Sequence, residues 1–208
     1  MIKAIIFDWD GVIADSMSNI AKGIQETAAS YGVTVSIDDV LDDYMQPREA
    51  YYQSLGIDTS DIDELSDRHD AKIAKYQKSS SIFSEAAGAL TKAVEQGFIL
   101  GICSNGNGED ITDQLHKYDL MRLFSSELIL GNQDKKDEKL QILIERLALP
   151  KETVLYVGDL PTDISAAQSV GIQSAGIQRR EKARLRLAKM NPDYLFSSLA
   201  DLKSIDSK

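Results

Sequence analysis

Histidine and cysteine are nearly missing from this chain: among 208 residues stand two histidines, His69 and His116, and one cysteine, Cys103. One cysteine forbids an intrachain disulfide and agrees with a reducing compartment. Two histidines on mostly polar helical stretches leave a histidine phosphatase, a Ser-His-Asp hydrolase and a histidine-rich zinc site without their parts. A cysteine-phosphatase loop needs an arginine where Glu109 stands, so that chemistry is excluded too. Cys103 closes an apolar run and reads as a small core residue.

Positive charge is also short. The chain carries 23 Lys and Arg against 33 Asp and Glu, a net charge of -10. Nucleic-acid affinity is built from cations that neutralise phosphates, so it is not expected as the main activity. The basic stretch Arg179 to Lys189 is a local exception and reads as a solvated helix face. Long apolar runs are missing as well. The longest reach only strand length, so neither a bilayer span nor a secretory leader is expected, and a soluble cytoplasmic protein is. What remains is globular in composition: 43% hydrophobic and 27% charged, with 13 glycines and four prolines.

Short apolar runs alternate with helical patterns through most of the chain. IIF at 5–7, FILGIC at 98–103, ELIL at 127–130 and TVLYV at 153–157 are continuous, as strands buried on both faces are. Between them, helical spacing covers roughly 84–96, 109–118, 161–170 and 180–190. One further helix has Leu140, Leu143, Ile144 and Leu147 on one stripe. This alternation predicts an α/β fold: a Rossmann-like parallel sheet with helices on both faces. It is broken once, between Ser16 and about Ser81, where only helical stripes occur. Ile20, Ile24, Ala28 and Tyr31 form one; 37–44, 49–55 and 61–76 suggest three more. The expected division is a core of residues 1–15 and 82–208 with an inserted all-helical domain at 16–81. The polar junctions at 14–17 and 78–81 are its expected hinges.

In an open parallel sheet, ligands bind beyond the carboxyl ends of the strands. Each apolar run here is followed by polar residues: Asp8-Trp9-Asp10-Gly11, then Ser104-Asn105-Gly106, then Gly131-Asn132 with Lys135 and Lys136 close behind, then Gly158-Asp159-Leu160-Pro161-Thr162-Asp163. Four carboxylates, a hydroxyl and a lysine are thereby expected at one edge. Carboxylates ~4 Å apart repel by roughly 4 kcal/mol per pair at an effective dielectric near 20, so the cluster calls for a cation. An all-oxygen donor set points to Mg²⁺, a metal that commonly works on phosphate.

FDWDGVIADS, then SNG after a strand, then a lysine opening a helix, then GDLPTDISAA resemble, in that order and over nearly the whole chain, the four motifs of the haloacid dehalogenase-like hydrolase superfamily. The helical insertion after the first motif is similar to the cap of the subgroup with phosphoglycolate phosphatase and beta-phosphoglucomutase. NPDYLFSSLADL resembles that subgroup's closing segment. The resemblance implies that Asp8 is the nucleophile that becomes an aspartyl phosphate, and that Asp10 is the general acid and base. Asp10 would also give its backbone carbonyl to Mg²⁺. Ser104, Asn105 and Gly106 would receive the phosphoryl group, and Lys136 would offset charge on nucleophile and phosphoryl. Asp159 would ligate the metal and Asp163 would hold waters or the lysine behind it.

Some positions depart from the family pattern. Val12 replaces a frequent Thr, Trp9 a commoner Phe or Leu, and the proline after the third-motif lysine is missing, which leaves Lys135 open beside Lys136. In the cap, Gln46-Pro47-Arg48 falls where related caps contact substrate, and Arg48 is the candidate clamp for a carboxylate or second phosphate. The expected activity is Mg²⁺-dependent hydrolysis of a small phosphate monoester, a phosphorylated metabolite, with the cap excluding bulk water. A sugar-phosphate mutase and a non-catalytic binding protein of the same fold are the alternatives. Dehalogenase chemistry is disfavoured because it does not use the second aspartate.

Overall fold

The computed structural model describes residues 1–44, 47–77, 80–132 and 134–205. In chain order they form β1 (Ala4–Phe7), β2 (Ala14–Asp15), α1 (Met17–Ser30), α2 (Ile37–Asp43), α3 (Arg48–Ser54), α4 (Ile62–Gln77) and β3 (Ser81–Ile82). There follow α5 (Ala86–Glu95), β4 (Ile99–Ser104), α6 (Gly108–Lys117), β5 (Phe124–Gly131), α7 (Lys136–Leu147), β6 (Val154–Gly158), α8 (Pro161–Val170), β7 (Gln173–Ile177), α9 (Glu181–Ala188) and β8 (Tyr194–Phe196). The chain divides into two compact units, Met1–Ile13 with Phe83–Lys208, and Ala14–Ile82.

The first unit is built on a six-stranded sheet in the order β5-β4-β1-β6-β7-β8, with every neighbouring pair parallel. β1 lies inside it, between β4 and β6, and all of its residues are buried. Ala4 and Ile6 share a core cluster with Leu140, Leu143 and Ile144 of α7 and Ala167 of α8. Because side chains alternate along a strand, Ile5 and Phe7 point to the opposite face. They are equally buried, so both faces of the sheet are covered. Each such Ile or Phe contributes roughly 1.5–3 kcal/mol by leaving water, which is why the central runs contain almost no polar residue.

Two strands, β7 and β8, lie beyond the four apolar runs visible in the sequence. The β7 sequence, QSAGI, lacks a run of Ile, Leu and Val because the space above it is filled by neighbours. A Cβ at Gly176 would lie 3.2 Å from Leu187 and 3.3 Å from Leu195. β5 begins at Phe124, earlier than the ELIL run, and its first turn outward is polar because it is an edge strand. The pairing of β4 with β5 shifts register between Leu100 and Ile102.

The second unit is helical. α1 packs on α4 through a close approach in which a Cβ on Gly23 would stand 2.8 Å from Ile73. Ile24 and Ala28 of the expected stripe are buried, and Ile20 and Tyr31 pack beside them. Ser36 caps α2 by accepting from the Asp39 N–H at 3.1 Å. Tyr44, Tyr51, Tyr52 and Leu65 complete this core, and His69 is buried among them with its Nδ1 2.8 Å from the Tyr52 hydroxyl. At the unit's two ends β2 and β3 pair antiparallel, Ala14 with Ile82 and Asp15 with Ser81. Of the expected hinge segment at 78–81, Lys78 and Ser79 lie outside the described residues.

Candidate active site

The four runs that precede the polar clusters are four adjacent strands, β5-β4-β1-β6. Since they are parallel, their carboxyl ends share one edge, with Phe7 level with Ile102 and Val157, and Ser104 level with Gly131. Asp8 directly follows β1, and its N–H donates to the Val157 carbonyl at 2.8 Å. Its Oδ1 accepts from the Trp9 N–H at 2.7 Å, and its Oδ2 takes a hydrogen bond from Lys136 Nζ at 2.7 Å. Lys136, the first residue of α7, also donates to Asp163 Oδ1 at 2.7 Å. Asp163 sits in the first turn of α8, where its Oδ2 accepts from the Leu160 N–H at 2.9 Å and so caps the helix. The Tyr156 hydroxyl donates to Cys103 O at 3.1 Å and reaches Asp163 Oδ1 at 3.3 Å. Asp163 can occupy this place only because residue 158 is glycine: a Cβ there would fall 2.2 Å from that of Asp163.

Asp8, Asp159 and Asp163 are all buried and each offers an oxygen within 4.8 Å of the others. Among the described residues the ammonium bonded to this cluster is that of Lys136. Asp159 Oδ2 is buried and has no hydrogen-bond partner among the described residues. Burial, helped by Asp163 and Asp10, pushes the Asp8 carboxyl up to about 6 although Lys136 pulls it down. Asp159 is raised well above the carboxylate range by burial and by Asp163 and Asp8. Burial disfavours the Lys136 ammonium, yet Asp163 and Asp8 outweigh it and hold its pKa above the ordinary value. With all three carboxylates ionised against one ammonium the set is two positive charges short, and an oxygen-only pocket with an orphaned carboxylate oxygen fits a hard divalent cation.

Asp10 is outside that carboxylate cluster among the described residues. Its Oδ2 lies beside the Ser104–Gly106 loop, 3.6 Å from where a Gly106 Cβ would stand. Ser104 Oγ accepts from the Gly106 N–H at 3.0 Å, and the following helix α6 is capped by Asn107, whose Oδ1 accepts from Glu109 N–H at 2.8 Å. Ser104 is thus no helix cap. Of the two adjacent lysines, Lys136 reaches Asp8, whereas Lys135 is 80% exposed and pairs with Glu138 at 3.7 Å. Arg48, in the helical unit, donates to Asp70 at 2.8 Å; Gln46 before it lies outside the described residues. Gly11 turns the chain after Asp10 with φ +72°, and its carbonyl accepts from Arg179 at 3.2 Å. Arg179 also pairs with Glu85 at 2.6 Å and stacks on Phe83, so the head of the basic stretch is tied into this unit.

A buried lysine beside the site escaped the reading of the sequence. Lys139, three positions after Lys136 on α7, is 1% exposed. Its Nζ donates to Ser104 O at 2.6 Å and to Asn105 Oδ1 and Asn132 O at 2.7 Å each. The i, i+3 spacing from Lys136 was the available signal, since it sets both on one helix face.

A family model described as haloacid dehalogenase-like hydrolase matches residues 5–177, a span that contains all four strand-end clusters. The chain belongs to the haloacid dehalogenase-like hydrolases. It is 26% identical over 219 residues to a phosphoglycolate phosphatase of Photorhabdus laumondii, covering 98% of this chain and 92% of the relative. It is 26% identical to the phosphoglycolate phosphatase of Vibrio cholerae, covering 98% and 96%. Among solved structures, a haloacid dehalogenase-like family hydrolase from Streptococcus pneumoniae superposes with a TM-score of 0.78 at 19% identity, over 98% of this chain and 97% of that one. This last likeness is one of fold. No helix among the described residues is long and apolar enough to cross a membrane.

Proposed function

We propose that this haloacid dehalogenase-like hydrolase is a Mg²⁺-dependent phosphatase of the cytoplasm that hydrolyses a small phosphate monoester, of the phosphoglycolate or sugar-phosphate kind, through an aspartyl phosphate. The observation that carries it is the Asp8 carboxylate at the end of an inner strand, bonded to Lys136 at 2.7 Å and gathered with Asp159 and Asp163. Asp8 attacks phosphorus, and the bond from phosphorus to the substrate oxygen breaks. Asp10 gives that leaving oxygen its proton and afterwards takes one from the water that opens the acyl phosphate. The Ser104 hydroxyl and the Asn105 backbone amide hold the phosphoryl oxygens, Gly106 shapes the loop through its N–H to Ser104 Oγ, and Lys136 offsets charge as the phosphoryl group is transferred.

Asp8, Asp159 and the Asp10 carbonyl are the proposed metal ligands, with Asp163 behind them. Bound there, the cation would favour the ionised carboxylates and neutralise charge on the phosphoryl group. We assign the helical unit the role of a cap and Arg48, steadied by Asp70, that of a substrate contact. Phosphate release from p-nitrophenyl phosphate, with and without chelator, tests the reading. Release is expected only with Mg²⁺, and Mg²⁺ is expected to raise the melting temperature. Asp8→Asn is expected to abolish turnover; full activity in that variant sinks the mechanism.

A further inference from the structure

We propose that Lys139 is a positioning residue that holds the Ser104–Gly106 loop in the shape that receives phosphate, acting on the reaction through the loop and not on the substrate. The proposal rests on the phosphatase reading above. An ammonium has three N–H donors, and Lys139 uses all of them on Ser104 O, Asn105 Oδ1 and Asn132 O. None remains for a ligand, so the group does not bind substrate itself.

Those three acceptors lie where the sheet ladder stops. The last paired residues of β4 and β5 are Ser104 and Gly131, and one further bond, Asn132 N–H to Ser104 O at 3.3 Å, follows them. Past that point the loop stays close to β5, where a Cβ on Gly131 would stand 3.0 Å from the Gly106 carbonyl oxygen, and Lys139 ties the two chain ends together. A buried charge is tolerated only when fully hydrogen-bonded, so its ammonium imposes one arrangement on the carbonyls of Ser104 and Asn132 and one rotamer on Asn105. The same first turn of α7 carries Lys136, which holds Asp8 and Asp163. One rigid helix end therefore sets both the carboxylate assigned to attack and the loop assigned to receive the phosphoryl group. Misplacement of such groups by about 1 Å costs on the order of a hundredfold in rate.

The test is Lys139→Met in the full chain, read by amide hydrogen exchange and by steady-state hydrolysis of p-nitrophenyl phosphate. Exchange at the Gly106 and Asn132 amides is expected to quicken by about tenfold or more relative to the β1 amides, which marks local opening. In the same folded variant kcat is expected to fall roughly 10- to 100-fold with a smaller change in KM. Unchanged exchange at those amides overturns the proposal, as does wild-type kcat in a variant whose loop has loosened. If Lys139→Met does not fold, Lys139→Gln, which keeps two donors, is read in the same way. Failure of both to fold also overturns it, because Lys139 then serves the core and not one loop. A wild-type chain that releases no phosphate sinks the phosphatase reading, while the exchange data still decide whether Lys139 holds the loop.

Discussion

A single ammonium serves two buried carboxylates at Lys136, with Asp8 Oδ2 and Asp163 Oδ1 each 2.7 Å away. Removing one partner of a buried ion pair leaves charge stranded, at a cost of about 3–5 kcal/mol. Lys136→Met is therefore expected to lose at least about 3 kcal/mol of stability, measured by urea unfolding at neutral pH in chelator, and most of its phosphatase activity. The exposed neighbour supplies the control: Lys135→Met is expected to stay within about 0.5 kcal/mol of wild type. A small change at 136 together with a large one at 135 would reverse the assignment. From sequence Lys136 was the choice with Lys135 left open, since the two are adjacent and nothing in composition says which one faces inward. Which lysine reaches inward is decided by where α7 starts, and it starts at Lys136. Lys139 was missed for a related reason. A lysine is ordinarily read as a solvated residue, and its burial shows only when the carbonyls of Ser104 and Asn132, distant in sequence, are seen to converge on it.

At the scale of elements, the strands whose side chains are packed by Ile, Leu and Val were legible, and those packed by their neighbours were not. β1, β4 and β6 are apolar runs because both their faces are buried. β7 is instead small and polar because Leu187 and Leu195 crowd Gly176. The helices of the second unit were visible from their stripes, but not the polar group inside them. His69 lies in the core beside Tyr52, and burial, reinforced by Arg48, pushes its pKa down to about 3 from an ordinary 6.5. The folded state therefore holds it neutral while the unfolded chain binds a proton. The stability tied to its neutral form is complete above pH 6.5 and is lost as pH falls toward 3, by up to about 1.4 kcal/mol per pH unit. Between pH 6 and pH 5 wild type is expected to lose roughly 1 kcal/mol more than His69→Gln, which keeps an acceptor for the tyrosine but does not titrate. Equal losses in urea melts at the two pH values would show that His69 is protonated in the folded state.

For the molecule as a whole, a net charge of -10 offers an anionic substrate no long-range attraction. Capture must come from local groups, and these are gathered by topology: residues from 8 to 163 meet because β5, β4, β1 and β6 are neighbours and parallel. The carboxylate cluster was therefore legible from the sequence once the alternation of strand and helix was, since strand ends were enough to nominate Asp8, Asp159 and Asp163. Central to the proposed chemistry is that Asp8 itself carries the phosphoryl group. The direct measurement is peptide mass analysis of the Asp10→Asn variant, acid-quenched during turnover with Mg²⁺ and p-nitrophenyl phosphate, whose phenolate leaves without a proton from Asp10. Without Asp10 to activate water the intermediate is expected to accumulate, so one phosphoryl group labile to hydroxylamine is expected on Asp8. Turnover with no label on Asp8, or with the label on another residue, would contradict it.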